Sequence, residues 1–379
     1  MTDSVPVRRA VIRNKLSYVD GRSISKHGQP VRLEYTDSSE SHVPAVEAKK
    51  DDSRTVSLFQ KNDNQKWTHR NILAAGQFTR DDLRQLFKTA NSMMNRESYQ
   101  GLLNGKTIGL LFYEPSTSTE CSFVTAIQKM GGNAVQVNVS NSSITKCETL
   151  EDTIHCLEQY VDAIIVRGKD DYAVRASQVT NLPVINAGDG VKEHPTQALL
   201  DLFTIREEHG TVTGLTITLI GDLKNSRTVH SLVKLLCLYN ITRINYVSID
   251  ELKIPDEIKN YVRRFNIEQH ETGLLESVIE KTDVLYVTRL QAERIDSNSA
   301  RITRGYRDSC QITPSKLSKA KQDMIIMHPL PRKGEISEAV DTDPRAVYFK
   351  QMKYGLYTRM ALLNKIFTIK MIFLVYIND

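Results

Sequence analysis

Long apolar runs, metal-ligand spacings and a dominant charge of either sign are all missing from this sequence of 379 residues. Its five cysteines (Cys121, Cys147, Cys156, Cys237, Cys310) are odd in number and scattered, with no C-x-x-C pair. That pattern argues against a disulfide framework and a structural zinc site, so reduced thiols and no bound metal are expected. Basic residues number 50 and acidic ones 45, for a net charge of +5. They are mixed along the chain rather than gathered in a stripe, which disfavours nucleic acid as a partner and leaves small anionic ligands open. No G-x-G-x-x-G occurs, and Gly221-Asp-Leu-Lys is a weak substitute, so no dinucleotide cofactor is expected. Met1 to Lys61 never assembles the apolar core of a signal peptide. Ile366 to Ile377 is apolar, but it is short and interrupted by Lys370, so a membrane span is not expected and the setting reads as cytoplasmic.

What is present suits two α/β domains, since 40% hydrophobic content supplies sizeable cores at this length. Residues 1–65 carry few apolar clusters and read as a disordered or loosely attached tail. Thr79-Arg-Asp-Asp82 has capping-box spacing, and Leu83, Leu86, Phe87, Ala90 and Met94 then share a helical face. Apolar runs recur at Ile108 to Phe112, Ala134 to Val139, Ala163 to Val166, Pro183 to Ile185, Leu215 to Ile220, Asn245 to Val247, Val284 to Thr288 and Met324 to Met327, with helical patterns between most of them. This predicts two doubly wound parallel-sheet lobes with a ligand cleft between them. The expected divisions are a first lobe over 66–200, a second over 201–343, a helix over 344–367 returning to the first lobe, and an apolar extension over 368–379.

The stretch Ile108-Gly-Leu-Leu-Phe-Tyr-Glu-Pro-Ser-Thr-Ser-Thr-Glu120 organises the rest. A strand that empties into a helix N-terminus offers unpaired backbone N–H groups and the positive end of a dipole, which together favour an anion such as phosphate. Taken alone, Ser/Thr residues there more often simply cap the helix. Other strands also end in polar chemistry: Arg167, then His194 and Gln197 one turn apart, Lys224 and Arg227, Arg289 with Gln291 and Arg294, and His328-Pro-Leu-Pro-Arg332. A salt-bridged surface arginine or a lone capping histidine is the commoner case for each residue singly, so the argument rests on the set.

Five ordered motifs resemble aspartate carbamoyltransferase: Glu114-Pro-Ser-Thr-x-Thr119, Asn186-Ala-Gly-Asp-Gly190 with Pro195-Thr-Gln197, Gly221-Asp-Leu-Lys-x-x-Arg-Thr-Val-His230, Thr288-Arg-x-Gln-x-Glu-Arg294, and His328-Pro-Leu-Pro-Arg332. The likeness runs from about Trp67 to Phe367 and is strongest to the carbamoyltransferase domain of the animal multifunctional pyrimidine-synthesis protein. It implies the carbamoyltransferase fold, a homotrimer with active sites between subunits, and transfer of a carbamoyl group from carbamoyl phosphate to the amine of aspartate. By resemblance, Ser116, Thr117 and Thr119 hold phosphate, while Thr119, Arg167 and His194 polarise the carbonyl oxygen. Gln197 and the backbone of Leu330 and Pro331 hold the carbamoyl nitrogen, Ser142 and Lys146 reach in from the neighbouring subunit, and Arg227, Arg289 and Gln291 grip the aspartate carboxylates. Glu114 and Arg294 brace the site. Planar guanidinium forks suit a dicarboxylate, and an oxyanion needs preorganised donors.

The chain departs from that family at the phosphate. Ser118 stands where the signature has Arg, and Glu120 adds a carboxylate. An arginine on a phosphoryl group is worth on the order of 10³ to 10⁵ in rate, about 4 to 7 kcal/mol. A carboxylate roughly 6 Å away, at an effective dielectric near 20, disfavours each unit of phosphate charge by about 3 kcal/mol. Cys147 replaces a glycine, and Asn225-Ser226 precedes Arg227, two lesser departures in loops that would close over substrate. These changes predict an inactive or severely impaired trimer that still takes an aspartate-like ligand, with carbamoyl phosphate doubtful. The alternative is a working enzyme in which Lys146, Lys192 or Lys224 restores the charge.

Overall fold

The computed structural model describes residues 17–19, 22–24, 67–95, 99–139, 147–169, 171–294 and 299–368. The chain divides into two compact units, Met1–Asp51 and Asp52–Asp379. In the first, β1 (Ser17–Val19) pairs antiparallel with β2 (Arg22–Ile24). The rest of the tail expected over 1–65 lies outside the described residues, as do 369–379 of the apolar extension and the site residues Ser142 and Lys146.

The second unit opens with α1 (Arg80–Met94). Its capping box forms as the spacing predicts: the Asp82 N–H donates to Thr79 Oγ1 at 3.1 Å and the Thr79 N–H to Asp82 Oδ2 at 2.9 Å. Met93 rather than Met94 completes its buried face. Then come β3 (Thr107–Phe112), α2 (Thr117–Lys129), β4 (Asn133–Val137), α3 (Leu150–Leu157), β5 (Ala163–Gly168), α4 (Tyr172–Val179), β6 (Val184–Asp189) and α5 (Pro195–His209). The expected division at 200/201 falls inside α5. The second series is β7 (Thr216–Ile220), α6 (Arg227–Leu236), β8 (Arg243–Val247), α7 (Asp256–Val262), β9 (Glu268–Thr272), β10 (Val284–Val287), α8 (Ser299–Cys310), β11 (Ile325–Met327) and α9 (Tyr348–Phe367).

These strands form two parallel sheets, ordered β4-β3-β5-β6 and β11-β10-β7-β8-β9. Parallel pairing needs crossover connections, and these place helices on both faces of each sheet, which is why the inner strands are apolar throughout. Buried side chains run without a break from Ile108 and Ile165 in the first sheet, through Phe123 on α2 and Phe203 on α5, to Leu232 on α6 and Leu219 in the second sheet. Separate clusters cover the far faces, Leu111, Ile154 and Val166 on one side and Val247, Leu285 and Ile326 on the other. α5 is buried at every position from Pro195 to Ile205, as a helix lying in the middle of a core must be, and α9 packs on α1, α2 and α5.

Open α/β sheets gather ligand groups beyond the carboxyl ends of their strands. Here the ends of β7 and β10 are held close by Gly221, whose φ is +125° and where an added Cβ would stand 2.4 Å from the Thr288 carbonyl oxygen. Gly221→Ala is therefore expected to cost more than about 1 kcal/mol of stability, read from chemical-denaturation midpoints. A midpoint equal to wild type would contradict this account of the β7–β10 junction.

Candidate functional site

Three helices carry the expected anion-binding residues in their first turns, and none has its N-terminus closed by a side chain. The N-cap residues are Ser116 for α2, His194 for α5 and Ser226 for α6, each without a capping hydrogen bond from its side chain. Thr79 and Thr149, which precede α1 and α3, do cap theirs. The simple capping role for Ser116 is therefore not realised, and its hydroxyl and the first-turn amides of α2 can serve an anion. Thr119 is buried at the base of this turn, while Thr117 and Ser118 are exposed. Glu120 turns aside, its carboxylate taking a 2.9 Å hydrogen bond from Gln136 on the edge strand β4. It nevertheless adds negative charge to the dipole end that an incoming anion would use.

The strongest feature is a group of guanidiniums around one carboxylate. Glu114 Oε2 receives both terminal nitrogens of Arg227 at 3.3 Å and faces Arg167 Nη2 at 3.9 Å. Arg227 also donates to the Gly190 carbonyl at 2.7 Å, Arg294 to the same oxygen at 3.0 Å, and Arg167 to the Ala187 carbonyl at 3.0 Å. The turn between β6 and α5 thus acts as the common acceptor. It admits two guanidiniums because Gly188, at φ +124°, has no side chain: an added Cβ would lie 2.7 Å from Arg167 Nη1 and 3.2 Å from Arg227 Cζ.

Burial, and then Arg227, draws Arg167 down to about 9 against the pull of Glu114, so it stays charged at neutral pH. Burial also lowers Arg227, with Glu114 opposing. Nitrogens Arg167 Nε, Arg294 Nη1 and His194 Nδ1 are buried without a partner. Burial first, then Arg227 and Arg167, holds His194 well below the ordinary histidine range, so its imidazole is neutral. Its backbone N–H donates to Ser231 Oγ at 2.9 Å, tying α5 to α6. A cavity of about 490 Å³ opens beside this group, lined by Glu114, Lys169, Tyr172, Gly190, Val191 and Arg294.

The remaining expected residues stand around it in their own contacts. Gln291 donates its amide to the Asn225 carbonyl at 2.7 Å and its backbone N–H to Asp222 at 3.1 Å, and Arg289 bends to the Leu290 carbonyl at 3.1 Å. Leu330 has φ +53° and precedes Pro331 in a cis peptide, and its N–H donates to His328 Nδ1 at 2.8 Å. Arg332 turns instead to Asp341 and the Tyr348 ring. Cys147 occupies φ +68°, left-handed backbone that favours glycine. Of the candidate compensating lysines, Lys192 is paired with Asp171 at 2.7 Å and Lys224 is exposed. Among the described residues there is no metal-binding group of His, Cys, Asp or Glu, and no helix long and apolar enough to cross a membrane.

Sequence reasoning missed Asp201. It is fully buried on α5 and accepts from Gln197, Tyr286 and Gln351 at 2.8, 2.7 and 2.6 Å. The available signal was one acidic residue inside the apolar run Ala198–Phe203, four positions after Gln197. Arg359 was missed too: it is buried on α9 and donates to Ser122 on α2 at 2.9 Å.

Two family models match in succession. Residues 70–207 match the carbamoyl-phosphate-binding domain of aspartate/ornithine carbamoyltransferase, and 213–366 match its aspartate/ornithine-binding domain. The chain is 50% identical over 327 residues to the multifunctional protein pyr1-3 of Dictyostelium discoideum, covering 85% of this chain and 14% of that protein. It thus spans about one seventh of that relative's length. It is 44% identical over 300 residues to the aspartate carbamoyltransferase catalytic subunit of Clostridium novyi, covering 78% of this chain and 97% of that subunit. A crystal structure of aspartate transcarbamoylase from Trypanosoma cruzi in complex with carbamoyl phosphate and aspartate is similar, with TM-score 0.77 and 41% identity, covering 80% of this chain and 98% of that one.

Two measurements follow from the geometry. Gly188→Ala should displace Arg167 or Arg227 and cost more than about 1 kcal/mol of stability, read from chemical-denaturation midpoints; an unchanged midpoint would contradict the packing described. Burial raises Asp201 to about 7, against roughly 3.9 when unfolded, so the folded state holds its proton more tightly and stability falls as pH rises between those values. Asp201→Asn should remove that slope, so that the variant gains on wild type as pH rises from about 4 to about 7. A stability difference that is flat with pH would be the contrary result.

Proposed function

The chain belongs to the aspartate/ornithine carbamoyltransferase family, and from that premise we propose an aspartate carbamoyltransferase homologue that binds an aspartate-like dicarboxylate but is inactive or severely impaired in carbamoyl transfer. The observation that carries this reading is the first turn of α2. Ser118 is an exposed side chain with no cation to offer, and Glu120 adds a carboxylate to the same turn. Phosphate leaves with extra negative charge, and its departure needs a fixed positive partner.

The other half of the site keeps the residues that the resemblance implies. Arg227, Arg289 and Gln291 are present to take two carboxylates, and Arg167, His194 and Thr119 to polarise a carbonyl. A neutral His194 supports a hydrogen-bonding role on that oxygen rather than a charged one. Gln197, Leu330 and Pro331 would hold the carbamoyl nitrogen, and Ser116 and Thr117 would make what phosphate contacts remain. Rescue by lysine is the alternative, and Lys192 is already committed to Asp171. A lysine on a flexible stem is also a poor substitute for a planar fork. The proposal extends to a cytoplasmic homotrimer in which Ser142 and Lys146 of one copy complete the site of the next. Its role would be binding or regulatory, as part of pyrimidine biosynthesis.

Thermal stabilisation by N-(phosphonacetyl)-L-aspartate tests the phosphate half. An intact pocket at 100 times Kd gains about 2.7 kcal/mol, whereas this chain should gain almost nothing while still responding to succinate. The double change Ser118→Arg, Glu120→Ser should raise carbamoyl transfer on the order of 10³-fold or more. An already active wild type that the double change leaves unaltered would overturn the reading.

A further inference from the structure

Asp201 lies beneath the site, and none of the roles assigned above includes it. It is fully buried on α5, and its two oxygens are used differently. Oδ1 accepts from both Gln197 Nε2 and Gln351 Nε2, at 2.8 and 2.6 Å, while Oδ2 accepts from the Tyr286 hydroxyl at 2.7 Å. Three donors from α5, β10 and α9 therefore converge on one carboxyl group, which joins α5, the second sheet and the last helix.

This arrangement dictates how two amides are turned. An oxygen that only accepts must be met by the NH₂ end of each glutamine, so each glutamine oxygen points the other way. For Gln351 the consequence is visible: its Oε1 accepts from the His328 N–H at 3.0 Å. His328 in turn accepts from the Leu330 N–H and is held through Nε2 by Glu335 at 2.7 Å, with both side chains buried. The same logic turns the Gln197 oxygen away from Asp201, leaving it to accept from another donor. A proton on Asp201 would not undo this, because it can reside on Oδ2 and be received by the Tyr286 hydroxyl, leaving Oδ1 to the amides. The charged group facing Asp201 is Arg359 on α9, and the titratable one is Tyr286 on β10.

We propose that Asp201 is a positioning residue that makes the cleft selective for ligands presenting an N–H₂ group, by orienting Gln197 directly and the His328–Pro331 turn through Gln351. The inference rests on the reading that the cleft takes an aspartate-like dicarboxylate. It adds that the pocket beside the carboxylates distinguishes a ureido or carbamoyl NH₂ from a methyl group of similar size. Asp201→Asn would present an amide NH₂ of its own and so favour flipped glutamines, turning Gln197's donor end outward.

The test compares N-carbamoyl-L-aspartate with N-acetyl-L-aspartate, which differ by NH₂ against CH₃, by calorimetry on the full chain. Wild type should prefer the carbamoyl compound by about tenfold, roughly the worth of one well-made hydrogen bond. Asp201→Asn should bring the preference close to unity while N-acetyl-L-aspartate still binds, a change of ratio that general destabilisation would not produce. Gln351→Met, remote from the cleft, should reduce the preference in the same direction and serves if Asp201→Asn does not fold. Dicarboxylate binding with an undiminished preference in both variants, or with none in wild type, overturns this proposal alone. Failure of wild type to bind either compound or succinate overturns the ligand reading above and this proposal with it.

Discussion

Everything at the site turns on one imbalance: several buried guanidiniums against the carboxylates of Glu114 and Asp189. Arg227 and Arg167 face Glu114 directly, and Arg227 and Arg294 share the Gly190 carbonyl. Guanidiniums stay charged even when burial disfavours it, so the surplus must be met by backbone oxygens and, when present, by an anionic ligand. The fold delivers this by directing Arg167 of β5 and Arg227 of α6 to the backbone of Ala187 and Gly190, with Gly188 allowing side chains to lie on bare backbone. A neutral His194 beside them follows from its burial first and then from the same crowd of positive charge.

Among the described residues, the surplus lies mainly on one side of the cleft. Around Ala187–Gly190 cations are plentiful, whereas the first turn of α2 offers hydroxyls, amides and a carboxylate turned toward Gln136. Such a cleft suits a ligand that is anionic at one end and neutral at the other. It suits poorly a ligand whose second end is a phosphate that must leave with more charge than it brought. The two ends nevertheless belong to one rigid frame, because α5 and α6 sit in a core continuous with both sheets.

Much of this frame was legible in the sequence because parallel strands buried on both faces are written as short Val/Ile/Leu runs, and their polar termini stand out. Ala163-Ile-Ile-Val166 followed by Arg167 is such a case, and Leu215 to Asp222 is another. The edge strand β9, Glu-Gln-His-Glu-Thr, was not legible: none of its residues is fully buried and it carries no apolar alternation. β4 is likewise an edge with mostly exposed residues, and it ends at Val137, earlier than its pattern suggested. Buried polar groups were the main omission. Asp201 is satisfied by Gln351, 150 positions away, and Arg359 by Ser122, 237 positions away, and local periodicity does not register such pairs. The guanidiniums could be listed from the sequence, but their convergence on Glu114 and Gly190 required the fold.

The central claim, that loss of the fixed cation at position 118 silences the phosphate half of the site, is tested most directly by assaying the purified, unmodified chain for carbamoyl transfer with carbamoyl phosphate and L-aspartate both saturating. The account predicts turnover on the order of 10³-fold or more below that of a relative carrying the arginine. Turnover comparable to such a relative would contradict it.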